Sequence, residues 1–409
     1  MMGRFRDALA GPGLATIAEV KRRSPSAGDL RPGAEPSVLA AEFERAGAAA
    51  VSVLVDERFA GSLADLAAAR SVSGVPLLAK GFFSTEQDLD DVRAAGADAA
   101  LLILRDLDDR TVARLIEHAT RIGLDTLVEA HDRGELNRAV ELGADPIGIN
   151  ARDLATFAID RGAQLGLVAE APRDRVVIAE SAIHTRAQGA AAEVAGADAI
   201  LVGTALMRAP DPPAKLREIA SRPLVKICGL TRAEDIEVAI EAGADLCGFI
   251  LEPASPRAAR EVLAVPDTAL SVAVFVGEPE ETDADLVQLY EREDGKVRGR
   301  DAVFLRDGEQ VATVVDLPWE EEDETQLERA RAVEGRLVLA GGLGPENVRR
   351  AIAATRPWAV DASSSLEASP GVKDHDLVRA YVEAARSRRL DGGSRGAEVA
   401  ALPPPERES

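Results

Sequence analysis

Short apolar runs ending in charged or hydroxyl residues alternate along this chain with amphipathic stretches of helical period. In the first half the runs are Leu14–Val20, Ala49–Val55, Pro76–Lys80, Ala99–Leu104, Asp125–Glu129, Pro146–Asn150, Arg175–Glu180 and Ala199–Gly203. Their unbroken hydrophobicity predicts strands buried on both faces of a parallel sheet. Stretches such as Ser84–Ala95, Asp109–Ile122 and Arg133–Leu142 predict the helices between them. Eight strands alternating with helices is the pattern of a (β/α)8 barrel, whose functional groups collect at the C-terminal strand ends.

The phrases Gly96-Ala97-Asp98, Gly143-Ala144-Asp145, Gly196-Ala197-Asp198 and Gly243-Ala244-Asp245 each follow an Ala-rich stretch and precede an apolar run. Gly47-Ala48-Ala49 is a weaker copy. Such a phrase predicts a helix closing at a left-handed Gly before a short turn into a buried strand.

After a helix at Pro212–Ala220, the link Ser221-Arg222-Pro223 leads straight into a second set of runs. These are Leu224–Leu230, Leu246–Leu251, Ser271–Val276, Asp285–Tyr290, Arg336–Ala340 and Trp358–Asp361. Between them, two β-rich runs flank Asp307-Gly308, a hairpin signal. Too few residues separate Tyr290 from Asp316 for a full strand-helix-strand passage. The expected architecture is α/β: two tandem (β/α)8 TIM barrels, the second shortened and irregular around its fifth βα unit. The expected division is 1–221, 222–389 and a disordered tail over 390–409, where Gly, Ser, Pro and Glu take over.

At 409 residues the length suits two cores. A net charge of −22 argues against nucleic acid or an anionic membrane as partner. It leaves room for an anionic small molecule held by a local cluster of Lys and Arg. Cys228 and Cys247 are too few for a disulfide framework, and no apolar leader or spanning run is present, so the cytoplasm is the expected compartment. His118, His131, His184 and His375 show no metal-ligand spacing.

Strand alternation places Ile17, Glu19 and Lys21 on one face, so an acid and a base leave the first strand together. The other predicted strand ends of this half carry Lys80, Glu129, Asn150 and Glu180, a recurrence that packing does not explain. An apolar approach to Lys80 predicts burial and a lowered pKa. Phosphate in such barrels is held by the loops after strands 7 and 8. Ser181-Ala182-Ile183 and Gly203-Thr204-Ala205 occupy those places in the first half. In the second, Gly341-Gly342-Leu343-Gly344 and Asp361-Ala362-Ser363-Ser364-Ser365 do so, with Pro345 expected in a first helical turn. Two such pairs of loops imply two phosphorylated ligands.

Residues 17–205 resemble indole-3-glycerol phosphate synthases, through Ile17–Gly28, Leu77–Phe82, Leu127–Asp132, Ile147–Leu154, Val177–Ile183 and Ile200–Met207. Residues 224–386 resemble phosphoribosylanthranilate isomerases, through Val225–Thr231, Ser255-Pro256-Arg257, Val272–Val276, Leu339–Asn347 and Val360–Asp376. The order is that of bifunctional tryptophan-biosynthesis fusions, which act on small phosphorylated anthranilate-derived substrates. The first resemblance implies ring closure of the carboxyphenylamino-deoxyribulose phosphate with loss of CO2 and water. Lys80 matches its general acid and Glu129 the acid/base partner. Lys21 matches the carboxylate-holding residue, and Glu19, Asn150, Arg152, Glu180, Ser181 and Ser24 the positioning and binding groups, with Gly203 and Thr204 at phosphate.

The second resemblance implies an Amadori rearrangement with Cys228 as general base and Asp316 as general acid. Arg257 would clamp the anthranilate carboxylate, and Gly341, Gly342, Asp361, Ser363 and Ser364 would bind the rest of the ligand. Lys226, on the face of Cys228, is expected to stabilise its thiolate. Acid, base and phosphate anchors suffice, so neither metal nor cofactor is implied. Departures from the family patterns are Gly81, Ala182, Tyr290 and the acidic run Trp319-Glu320-Glu321-Glu322-Asp323. The rebuilt region Gly295–Glu322 motivates an alternative, a monofunctional synthase whose second barrel is only a scaffold. Oligomeric state is left open.

Overall fold

The computed structural model describes residues 3–25, 27–152, 158–292, 300–316 and 324–387. The expected tail, the acidic run after Asp316 and most of the linkage around it lie outside the described residues. Helix α1 (Arg4–Leu9) leads into strand β1 (Ala15–Val20), whose loop forms the small hairpin β2 (Arg23–Ser24) and β3 (Gly28–Asp29). Barrel strands β4 (Ala50–Leu54), β5 (Leu77–Lys80), β6 (Ala99–Ile103), β7 (Asp125–Ala130), β8 (Ile147–Asn150), β9 (Val177–Glu180) and β10 (Ala199–Val202) follow. With β1 they close a parallel barrel in chain order. Around it lie α2 (Pro36–Arg45), α3 (Leu63–Arg70), α4 (Glu86–Ala94), α5 (Asp109–Ile122), α6 (Arg133–Glu141), α7 (Arg161–Glu170) and α8 (Arg186–Ala195). Short α9 (Thr204–Arg208) and then α10 (Pro212–Ala220) complete the jacket.

The second barrel comprises β11 (Leu224–Cys228), β12 (Leu246–Ile250), β13 (Leu270–Val276), β14 (Leu286–Tyr290), β15 (Asp301–Arg306), β16 (Glu309–Asp316), β17 (Leu337–Ala340) and β18 (Ala359–Ala362). It also closes. Its irregularity is one inverted strand: β15 pairs antiparallel with both β14 and β16. The Asp307-Gly308 turn thus returns the chain upward, and Asp316 still ends its strand at the functional rim beside Ala340. Helices α11 (Ala233–Ala242), α12 (Glu324–Arg331), α13 (Val348–Thr355) and α14 (His375–Arg386) pack outside. A hairpin of β19 (Glu367–Ser369) and β20 (Val372–Lys373) precedes α14. Among the described residues no helix lies between α11 and α12. There, Ala259, Val262, Leu263 and Val265 of an irregular segment pack on the outer cluster that includes Cys247 and Phe249.

The Gly-Ala-Asp phrases acquire a mechanical meaning. Their glycines sit at φ of 101° (Gly96), 74° (Gly143), 115° (Gly196) and 98° (Gly243), where a Cβ is unfavourable. Their alanines are buried. Each aspartate accepts a backbone N–H at the base of another strand: Leu77 to Asp98 (2.9 Å), Val176 to Asp145 (2.9 Å), Val177 to Asp198 (2.8 Å) and Val225 to Asp245 (2.7 Å). The phrase closes the helix, fills the turn and ties adjacent units together.

The base of the first barrel is plugged by its own α1, which buries Phe5 and Leu9 among lumen residues such as Ile17, Leu78 and Ile178. Backbone N–H groups of Phe5 and Arg6 donate to Asp125 and fix the plug. Among the described residues the second barrel has no such segment of its own. Ala187, Ala190, Ala191 and Val194 of α8 cluster instead with its Leu224, Leu246, Leu270 and Trp358. The opposite face of α8, with Ala192 and Ala195, belongs to the first barrel's outer core. Every residue of α8 is therefore buried. The alanines and Gly189 on its two faces are what allow both barrels to approach one helix.

Charges brace this junction. Glu193 receives Arg222 (2.6 Å), Arg336 (3.1 Å) and the indole N–H of Trp358 (3.0 Å). Arg186 donates to Asp245 at 2.9 Å, and Arg386 bonds the same carboxylate. Buried charges of this kind persist only when paired. Among the described residues no helix is long and apolar enough to cross a membrane.

Candidate active sites

The rim of the first barrel opens on a cavity of 540 Å3 lined by Glu19, Lys21, Ser24, Lys80, Glu129, Asn150, Arg152, Ser181, Gly203 and Thr204, among others. Ten groups predicted from six separate strand ends and their loops thus face one space. Glu180 lies just beneath, with its side chain 1% exposed. Lys80 is the hub. Its Nζ donates to Glu180 Oε2 and lies 3.6 Å from Glu129 Oε2 and 3.9 Å from Glu19 Oε2. Lys21 Nζ is 2.5 Å from Glu19 Oε1.

Lys80 is buried as expected, but its pKa moves the other way. Burial favours the neutral amine, while Glu180, Glu129 and Glu19 outweigh it and raise the pKa, so the ammonium persists at neutral pH. The carboxylates diverge. Burial works against ionising Glu129, yet Lys80 and His131 bring it down to about 2. Burial and the charge of Glu129 push Glu180 up to about 7 despite Lys80. One carboxylate therefore stays ionised while its neighbour takes a proton near neutrality, a division that suits acid-base work.

Two glycines make room for this cluster. A Cβ at position 148 would lie 2.1 Å from Glu180 Oε1, and one at 203 would lie 2.3 Å from Glu19 Oε1. Gly81, a departure from the family pattern, is explained by packing: a side chain there would meet the Phe83 ring at 2.9 Å. Ala182 keeps a left-handed backbone at φ 55° although it is not Gly, and Ser181 precedes it at φ 71°.

The sequence reading missed several groups in or behind the cavity wall. His131 lies two residues beyond Glu129, with Nε2 3.3 Å from Glu129 Oε1 and Nδ1 3.0 Å from Glu135 Oε2. Burial opposes its charge, but the two carboxylates push it up to about 9. Its period-two spacing from Glu129 was the available signal. Phe59 and Phe82 stack at 6.4 Å on the cavity wall, and Arg58 covers the Phe82 ring at 3.5 Å. His184 and Arg208 line the cavity beside the loops that follow β9 and β10.

In the second barrel a 370 Å3 cavity is lined by Cys228, Arg257, Asp316, Gly341, Gly342, Asp361, Ser363 and Ser364, with Tyr290 in the wall. All of the predicted residues of this half meet there. Lys226, fully buried, donates to Asp361 Oδ2 and Gln288 Oε1, each at 2.8 Å, and Gln288 donates to the Tyr290 hydroxyl at 2.8 Å. Asp361 thus anchors Lys226 as well as lining the cavity. A Cβ at position 248 would lie 2.9 Å from Cys228 Sγ and 3.0 Å from Lys226 Nζ.

Two expectations are corrected here. Burial outweighs Lys226, so the Cys228 pKa is raised and the thiol is neutral in the free protein. Pro345 sits in a turn before α13, which begins at Val348. Arg257 is already engaged, its Nε 2.8 and 3.0 Å from the Glu367 carboxylate oxygens. Behind it, Lys373 donates to Glu367 at 3.0 Å and to the Ser363 carbonyl at 3.1 Å, and burial lowers its pKa. Glu367 and Lys373 were also missed.

A family model for indole-3-glycerol phosphate synthase matches residues 3–219, and one for N-(5'phosphoribosyl)anthranilate (PRA) isomerase matches residues 293–384. The chain is 46% identical over 215 residues to indole-3-glycerol phosphate synthase of Streptomyces griseus subsp. griseus, covering 52% of this chain and 80% of that protein. A protein of the same name from a Nocardioides species is 46% identical over 219 residues, covering 53% of this chain and 83% of its own. The crystal structure of phosphoribosyl anthranilate isomerase from Thermotoga maritima is 31% identical, covering 40% of this chain and 98% of that one, with a TM-score of 0.34.

Proposed function

The chain belongs to the indole-3-glycerol phosphate synthase family, and from that premise we propose how its two rims divide two consecutive steps of tryptophan biosynthesis. The second half, matched as an isomerase, converts phosphoribosylanthranilate to the carboxyphenylamino-deoxyribulose phosphate. The first half closes that product to indole-3-glycerol phosphate with loss of CO2 and water. In this reading the units divide at 221/222, a tail begins near 390, and the enzyme works in the cytoplasm on small phosphorylated anthranilate derivatives.

The observation that carries the synthase assignment is the buried ammonium of Lys80 among three carboxylates from three other strands. Lys80 protonates the ketone oxygen as the aromatic carbon attacks, which is the step an ammonium of raised pKa can serve only when the developing alkoxide is held against it. Loss of CO2 from the attacked ring carbon restores aromaticity, and Glu129, ionised, takes the proton that leaves during dehydration. Glu180 orients Lys80 and, holding a proton near neutrality, returns it. Glu19 orients Lys21, whose ammonium takes the substrate carboxylate, with Asn150 and Arg152 beside it. Phe59 and Phe82 give the aromatic ring a wall. Ser24, Ser181, Gly203 and Thr204 take the phosphate end.

In the isomerase half, Cys228 removes the C2 proton and Asp316 protonates the ring oxygen as the ribose opens. Cys228 is a neutral thiol in the free protein, so its ionisation is coupled to ligand binding against Lys226. Arg257 turns from Glu367 to the anthranilate carboxylate, while Gly341, Gly342, Ser363 and Ser364 hold phosphate and Asp361 holds Lys226. The scaffold-only alternative is set aside, because the second barrel closes fully and its predicted groups share one cavity.

The test is reciprocal. Lys80→Ala is expected to abolish indole-3-glycerol phosphate formation and leave isomerisation near the wild-type rate; Cys228→Ala does the reverse. Each reaction is assayed from its own substrate, phosphoribosylanthranilate for isomerisation and the carboxyphenylamino-deoxyribulose phosphate for ring closure, and loss of both activities in either variant would refute independent sites.

A further inference from the structure

The loop that follows β9 is strained, and what holds it reaches into the other barrel. Ser181 and Ala182 adopt successive left-handed conformations, φ 71° and 55°. For residues with a Cβ this is sterically unfavourable and persists only where surroundings impose it. Two side chains impose it here. Arg161, at the start of α7, donates to the Ala182 carbonyl at 2.7 Å and to the Gln188 carbonyl at 3.3 Å. Gln188, 2% exposed, accepts the backbone N–H of His184 at 2.7 Å and of Thr185 at 3.3 Å.

Gln188 is itself held from across the junction. Its amide Nε2 donates to the Asp267 carbonyl at 3.0 Å, and Thr185 Oγ1 donates to the Thr268 carbonyl at 3.0 Å. Asp267 and Thr268 belong to the turn that opens β13 of the second barrel. A capping box at the start of α8 would need only the bonds within 184–188. The additional purchase on a second barrel, and the guanidinium gripping the strained carbonyl, are not required for capping.

We propose that Arg161 and Gln188 are positioning residues for the phosphate end of the synthase cavity, and that the Asp267-Thr268 turn of the second barrel is a working part of that site through them. The inference rests on the reading of the 181–183 loop as a phosphate seat. It makes the second barrel contribute to the first barrel's ligand affinity without touching ligand.

The experiment measures synthase kcat and KM, and competitive inhibition by inorganic phosphate, in the full-length protein. The variants are Arg161→Met and Gln188→Leu, each alone and combined with Ala182→Gly. Glycine adopts φ 55° without strain, so it removes the need for the clamp. Each single variant is expected to raise KM and the phosphate inhibition constant about tenfold, with kcat within about twofold, and Ala182→Gly to restore most of the loss. Isomerase kinetics stay unchanged. Unaltered phosphate inhibition in both single variants would overturn the clamp. So would a fall in both activities and in Tm that Ala182→Gly does not rescue, since that is a purely structural role. Absence of phosphate competition in the wild type would instead sink the phosphate seat, and the inference with it.

Discussion

The two barrels solve the same problem with unequal means. The first has eight parallel strands, a complete helical jacket and its own basal plug in α1. The second inverts one strand, lays irregular chain where helices are expected, and borrows its plug from α8 of the first. Yet both hold a buried lysine against carboxylate and gather their candidate groups at the C-terminal rim. The rim is set by strand direction and register, which survive in both. The jacket and plug only have to exclude water from apolar surface, a non-directional requirement that any well-packed segment can meet.

Dependence of the second barrel on α8 gives the largest expected effect. Ala190→Glu puts a carboxylate into the shared helix on the face toward the second lumen. An unpaired buried charge costs about 3 kcal/mol or more, so Tm falls and isomerisation is lost before ring closure. Ala192→Glu, on the opposite face, should reverse that order. If Ala190→Glu spares the isomerase, the second barrel is self-sufficient and the contrast drawn above fails.

The glycines beside the two lysine networks sharpen the comparison at the sites. Gly148→Ala forces Glu180 off its position under Lys80, and synthase kcat should fall about 100-fold. Gly248→Ala presses on Cys228 and Lys226 at longer range, and isomerase kcat should fall about tenfold. Steady-state kinetics on both reactions for both variants tests the pair. Equal losses in both reactions would show that the sites are mechanically coupled through the junction.

The smallest effect is confined to the first barrel. His131 has a folded-state pKa of about 9 against 6.5 for the free side chain. A raised pKa means its stabilisation is fully present below pH 6.5 and is lost as pH rises through 9. The stability difference between wild type and His131→Gln should therefore be about 2 kcal/mol at pH 6 and shrink toward zero above pH 9, read from denaturant titrations. A difference that grows with pH would mean that His131 is neutral in the fold.

Sequence alone was enough for the strands of the first barrel, because continuous apolar runs ending in charge admit few other placements. It was enough for the rim as well: period-two alternation put Glu19 and Lys21 on one side, and parallel strands brought Lys80, Glu129 and Glu180 to the same end. The Asp307-Gly308 hairpin was legible from its turn residues, though the inversion of β15 that it produces is a property of the closed sheet. What the chain could not announce was the direction of the Lys80 and Cys228 pKa shifts. These depend on a balance between burial and charges contributed by distant strands, and only assembled distances settle which term prevails. Nor could it announce the double duty of α8. Its alanines look like any helix before a Gly-Ala-Asp turn, and being buried on both faces is a fact about two neighbours. Local pattern determined the elements and their polarity; tertiary packing alone decided which barrel each element serves.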